Sequence, residues 1–170
     1  MTKATPSLEF SNAINLAASR IFECKGRSRR SEFWWTQLLV YIATIALTPF
    51  VGSILRILTI PLTIRRLHDT GRSGWWWGFG ALLKFAFVIY ILYSIAKVAL
   101  GGYDFATIDE DFNNIPESEI FLVIKFVIGI IIIAIYDIVL LILCCIDSDK
   151  EENKYGSSSK YVAEENNSEI

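Results

Sequence analysis

The sequence predicts an all-α, polytopic membrane protein of four transmembrane helices preceded by an amphipathic N-terminal helix. Hydrophobic residues make up 53% of the 170 residues and the mean hydropathy is +0.42, too apolar for a soluble domain of this size. Long apolar runs alternate with polar connections. The net charge of -2 hides a segregation, with basic residues before Trp75 and acidic residues in the loop near 104 to 119 and in the tail.

The first 27 residues are expected to form an interfacial segment. Phe10, Ile14, Ala17 and Ile21 recur at helical spacing within residues 8 to 24, with Asn12, Ser19 and Arg20 elsewhere on the wheel. Such a helix lies along the membrane surface or packs on the protein's own cytoplasmic face. Residues 1 to 20 lack the continuous apolar stretch of a cleavable signal, so the first crossing is expected to direct its own insertion.

The transmembrane domain is expected over residues 28–146, with spans near 28–47, 51–68, 75–100 and 120–146. Ser28 or Ser31 can cap the first by accepting a backbone N–H bond, and Phe33, Trp34 and Trp35 suit the headgroup boundary. A single helix over 33 to 64 would rise about 48 Å, against a hydrocarbon core of about 30 Å. Thr48-Pro49-Phe50-Val51-Gly52 breaks that run into a hairpin. Gly101-Gly102 ends the third span, and a very apolar fourth follows the acidic loop. Residues 147–170, rich in Lys, Glu, Asn and Ser, are expected to be a solvated, disordered cytoplasmic tail.

Charge sets the orientation. Lys25, Arg27, Arg29 and Arg30 lie before Trp34, Arg65, Arg66 and Arg72 lie in the segment from Arg65 to Gly74, and the 101 to 119 loop carries no Lys or Arg. The positive-inside rule places the first two groups in the cytoplasm, the loop outside and both termini inside.

Two cytoplasmic segments carry the strongest local pattern: Gly26-Arg27-Ser28-Arg29-Arg30-Ser31-Glu32-Phe33-Trp34-Trp35, and Arg65-Arg66-Leu67-His68-Asp69-Thr70-Gly71-Arg72-Ser73-Gly74-Trp75-Trp76. In both, the chain resembles the bacterial inner-membrane proteins grouped as domain of unknown function 805. The resemblance runs over roughly residues 8 to 100. A fainter echo lies at Asn153-Lys154-Tyr155-Gly156, where the family often has Asn-Arg-Tyr-Gly followed by Pro-Asp-Pro; here Ser157, Ser158 and Ser159 follow. The connection between the two motifs is short, and an acidic insertion precedes the last span. What the resemblance implies is a location, the bacterial inner membrane, and a fold; the family has no established activity.

Arg27, Arg29, Arg30, Arg65, Arg66 and Arg72 are expected to converge beside Trp34, Trp35, Trp75 and Trp76. Guanidinium groups grip phosphates bidentately, and the anionic leaflet attracts each basic group by about 1 kcal/mol, so the bilayer's anionic lipids are the natural partners. Plain anchoring and the docking of an unidentified protein are the alternatives. Glu32, His68 and Asp69 are expected to form a polar network, pairing with arginines of the opposite segment or, less simply, holding a metal or moving a proton.

A lone histidine without a nucleophile at recognisable spacing argues against hydrolase chemistry. Gly71 and Gly74 suit a tight turn, since no Walker spacing is present. Cys24, Cys144 and Cys145 read as reduced packing residues. No cofactor or metal is expected, and nothing points to nucleic acid.

Inside the membrane, Arg56 stands nine residues from Arg65, Lys84 nine from Trp75 and Asp137 nine from Ile146. All three then lie about 13 Å from the inner boundary. An unpaired charge there costs about 2.5 to 3.5 kcal/mol, so an intramembrane cluster that fixes helix packing is expected. The functional expectation is a non-enzymatic membrane component whose basic face binds anionic lipid or a partner. A small transporter or channel using Asp137, and an enzyme acting on a phosphorylated lipid, are the alternatives.

Overall fold

Pro49 and Pro61 punctuate the first half of the chain, because each lacks an N–H and neither continues a preceding helix. The computed structural model describes residues 2–100 and 117–163 and is mostly helical. Its elements are β1 (Thr2–Ala4), α1 (Phe10–Ser19), α2 (Arg30–Ala46), α3 (Pro49–Leu58), α4 (Ile60–Asp69), α5 (Trp75–Leu100), α6 (Glu117–Cys145) and β2 (Tyr161–Ala163). They fall into two compact units, Met1–Trp77 with Leu140–Ile170, and Gly78–Val139. The acidic loop expected after the third span lies, over residues 101–116, outside the described residues.

In the first unit α1 turns Ala13 and Ala17 inward against α2, and the Phe10 ring meets Trp35 edge-on at 5.5 Å. The helix stops at Ser19, short of the expected residue 24. Beyond it the Glu23 N–H turns back to the Arg20 carbonyl, and both residues' carbonyls then face Arg65. Neither Ser28 nor Ser31 caps α2. That helix begins at Arg30, so Ser31 already sits in its first turn, where its Oγ accepts the Leu8 N–H at 3.1 Å.

The hairpin break falls where expected: Thr48 Oγ1 accepts the Val51 N–H and Pro49 opens α3. A second break, not expected, separates α3 from α4. Pro61 removes a helical donor, and Thr59 instead bonds back through its hydroxyl to the Arg56 carbonyl at 2.8 Å. Ala17, Phe33, Leu62, Leu67 and Cys144 form the buried apolar core, with Trp77 and Leu143 packed against it. Cys144 is thus a packing residue, whereas Cys24 and Cys145 are exposed; all three are free thiols.

The tail departs from the expected disordered extension over residues 147–163. Asn153 and Gly156 close a tight turn through reciprocal backbone bonds, at a Gly156 φ of 118° that strains any other residue. The chain then pairs antiparallel with β1, Lys3 opposite Val162. Composition misled here because the holding interactions are backbone carbonyls, which leave no mark on hydropathy.

In the second unit α5 and α6 meet at two glycines. A Cβ on Gly80 would stand 2.6 Å from the Tyr136 ring, and one on Gly129 would overlap the Phe87 ring. Phe87 stacks on Phe126 at 5.5 Å. The 26 residues of α5 and 29 of α6 rise about 39 and 43 Å, beyond a hydrocarbon core of about 30 Å. Their apolar stretches, Trp75–Lys97 and Phe121–Cys145, have mean hydropathies of 2.0 and 3.1, and within each only 6% and 0% of an 18-residue window is buried by protein. Two helices are therefore long and apolar enough to cross a membrane, and they lack the protein cover of a soluble core helix.

Gly129→Ala is expected to cost about 1 to 3 kcal/mol by overpacking against Phe87. Denaturant unfolding in detergent micelles measures it, and Phe87→Ala in the same chain should recover part of the loss.

Candidate functional site

A helix ends with carbonyl groups that have no intrahelical partner, and each must find a donor when water is shut out. In the first unit three arginines supply those donors. Adjacent on α4, Arg65 and Arg66 point to different helix ends, and both are fully buried. Arg65 Nη1 donates to the carbonyls of Arg20 and Glu23 just past α1, the latter at 2.8 Å, while its Nη2 pairs with Glu32 Oε1 at 3.0 Å. Arg66 donates through Nε to the Cys144 carbonyl at 3.0 Å and through Nη2 to that of Ile146, closing the end of α6. Its Nη1 reaches the Ser28 carbonyl at 3.2 Å and Asp69 Oδ2 at 2.5 Å.

Arg27 completes the set from the loop that Gly26, at a φ of 84°, turns toward α4. Its Nε pairs with Asp69 Oδ1 at 2.9 Å, and its Nη2 donates to the carbonyls of Asp69 at 3.1 Å and Asp149 at 2.6 Å. Nη1 donates to Glu151 at 2.9 Å and Gly156 at 3.2 Å, so the tail turn encloses the guanidinium in carbonyls. Asp69 therefore bridges Arg27 and Arg66, and the Ser148 hydroxyl donates to its second oxygen. The partial negative charge at helix C-termini and the two carboxylates together compensate three buried cations. Ser28 Oγ and Arg65 Nε are buried and have no hydrogen-bond partner among the described residues.

This geometry corrects the expected lipid-facing array. Of the six arginines, Arg27, Arg65 and Arg66 are turned inward and buried, and Arg29 donates to the carbonyls of Thr5 and Pro6 at 3.2 and 2.7 Å. Nearby carbonyls absorb these guanidinium forks because each fork carries five donors in a fixed plane. Arg30 is exposed, and Arg72, half-buried, donates weakly to the Thr70 carbonyl at 3.4 Å. Ser148 and the tail carbonyls were missed by sequence reasoning; the Asn153-Lys154-Tyr155-Gly156 echo was the available signal.

Glu32 and Asp69 meet arginines, but His68 takes a different place. Its ring stacks on Tyr155 at 3.7 Å and 6°, its Nδ1 lies 3.2 Å from the Gly26 carbonyl, and Asn153 Nδ2 donates to its own carbonyl at 3.0 Å. Burial, aided by Lys154, holds its pKa below the ordinary value. In contrast, the hydrogen bond from Lys160 holds the Asp147 carboxyl below its ordinary range, fastening the start of the tail. Among the described residues no three His, Cys, Asp or Glu side chains are grouped to hold a metal ion.

Residues 44–157 match the family described as protein of unknown function DUF805. The chain belongs to that family. The DUF805 match covers about two-thirds of the chain and ends one residue beyond Gly156, so the turn that encloses Arg27 falls inside it. It begins within α2, beyond Arg27 and Glu32 themselves. No curated protein and no solved structure matches the chain.

In the second unit Lys84 Nζ pairs with Asp137 Oδ1 at 2.7 Å, each side chain 50% exposed. Arg56, the third expected member, is an exposed residue of α3 in the first unit.

Asp69→Ala strands two buried guanidinium groups and is expected to cost about 3 to 5 kcal/mol, read as unfolding in detergent. His68, the only histidine, gives one imidazole resonance. Its midpoint should lie below 6.5 and move back toward that value in Tyr155→Ala. A depressed His pKa means the folded tail binds the proton less well, so the stability it adds is complete above pH 6.5 and is lost as pH falls through the folded midpoint.

Proposed function

We propose that the chain is a multi-pass protein of the bacterial inner membrane, with four crossings, both termini cytoplasmic and no catalytic role of its own. The observation that carries this reading is the coexistence of two long apolar helices almost bare of protein cover with a polar base whose charges are satisfied from within.

Two further crossings are supported by the faces of α2 and α3. Leu38, Leu39, Ile42 and Ile45 on α2, and Phe50, Ile54 and Ile57 on α3, are exposed where a soluble protein would bury them. The Thr48-Pro49 break returns the chain, and α3 with the first turn of α4 forms the second arm. The polar end of α4, from Arg65 onward, then sits at the cytoplasmic boundary. There Glu32 and Asp69 are committed to arginines, which favours a structural base over a reacting centre.

Contact with anionic headgroups falls to the basic residues that the interior does not consume, Lys25, Arg30 and Arg72, beside the exposed Trp34, Trp75 and Trp76. At about 1 kcal/mol for each basic group, removing two should lower the preference for anionic lipid roughly tenfold or more. The measurement is the anionic-to-zwitterionic ratio of lipid retained by detergent-extracted protein. Arg30→Gln with Arg72→Gln should lower it without changing stability, and an unchanged ratio would reduce the basic face to anchoring. Reporter fusions should read both termini as cytoplasmic and residues 101–116 as external; an external terminus refutes the topology.

A further inference from the structure

Lys84 and Asp137 satisfy each other, yet each side chain remains half exposed. On helices that cross a membrane, that exposed half faces hydrocarbon, where ionisable groups persist only against a partner or water. Their hydrogen bond fixes both charges at one depth, nine residues from Trp75 and from Ile146. The surrounding surface is otherwise apolar: one turn away on α5 stands Val88, and one turn away on α6 stand Ala134 and Leu141, all exposed. Ala134 is small enough to allow close approach of another helix.

We propose that this pair is the seam of a homodimer within the membrane, two copies closing a ring of four charges around a two-fold axis along the membrane normal. The occupant follows from charge complementarity. Copies inserted in the same direction are related by a rotation about that normal, which preserves depth and exchanges left with right. A side-by-side Lys and Asp at equal depth therefore meet an Asp and a Lys, opposite charge against opposite charge. A lipid phosphate offers no counterpart for the Asp137 side, whereas a second copy covers both halves at once. The inference rests on the membrane reading above.

The test uses differently tagged full-length chains reconstituted together in phosphatidylcholine vesicles, with co-capture of one tag by the other. Wild-type copies should capture each other. A chain carrying both Lys84→Asp and Asp137→Lys keeps its internal pair and should capture itself equally well. Mixed with wild type, however, it sets like charge against like, and capture should fall at least tenfold. Chains with Lys84→Asp alone and Asp137→Lys alone should each fail to self-capture but capture one another. Mixed capture as strong as matched capture, or wild-type copies that stay apart, overturns the proposal; the latter is also the outcome if a different membrane protein covers the pair. Alkaline carbonate separates the two levels of failure: a chain it extracts from native membranes refutes the membrane reading, and one that stays embedded without self-capture refutes only the dimer.

Discussion

Asp69 and the two guanidinium groups it bridges are the constraint on which the first unit depends. Three helix ends and a loop meet in a space closed to water, and each brings carbonyl oxygens that must be bonded. Apolar side chains cannot do this, and a lysine offers only three donors on a flexible stem. A guanidinium spreads five across a rigid plane, so one arginine serves several carbonyls at once. Arg65 closes α1, Arg66 closes α6 and Arg27 closes α4 together with the tail. The placement of α1, the last turn of α6 and residues 149–156 all follow from where those forks point.

The same arrangement explains why buried charge is tolerable here. Each carboxylate is met by a guanidinium within 3.0 Å, and the excess positive charge faces helix C-termini rather than empty apolar surface. A buried ion pair is not by itself evidence of stability, since desolvation offsets much of its attraction. Its contribution here is directional: an Asp69 in any other position leaves two donors without acceptors, which penalises other packings of α4. Ser28 Oγ and Arg65 Nε, without a partner among the described residues, show that the accounting is nearly but not fully closed.

Much of the architecture was legible in the sequence. The helical composition, the amphipathic first helix and the Thr48-Pro49 turn all leave local marks, in periodicity and in residues with fixed backbone preferences. The break at Thr59 was less visible because the run around Pro61, with only Thr59 and Thr63 among its aliphatic residues, still reads as apolar, and hydropathy does not register a missing donor. The residues of the polar base could be picked out from the density of Arg, Glu, His and Asp in two segments. Their direction could not, since an arginine aimed at lipid and one aimed at a carbonyl read the same in one dimension. The folded tail was misread for the related reason that Asp149, Glu151 and Gly156 contribute main-chain oxygens, and any residue in the right place would supply those.

The long reach from Arg27 to its tail acceptors sets an order of events during synthesis. The carbonyls of Asp149, Glu151 and Gly156 follow it in the chain by 122, 124 and 129 residues. Until those residues have left the ribosome, the Arg27 guanidinium has no tail to bind. Under the proposed topology it is free during that interval to hold the amino end on the cytoplasmic side, as a retained positive charge does. Only once residues 149–156 have emerged does the same group pass into the interior. One arginine thus has two successive employments, first as a signpost for insertion and then as the clasp that joins the loop before α2 to the turn after α6.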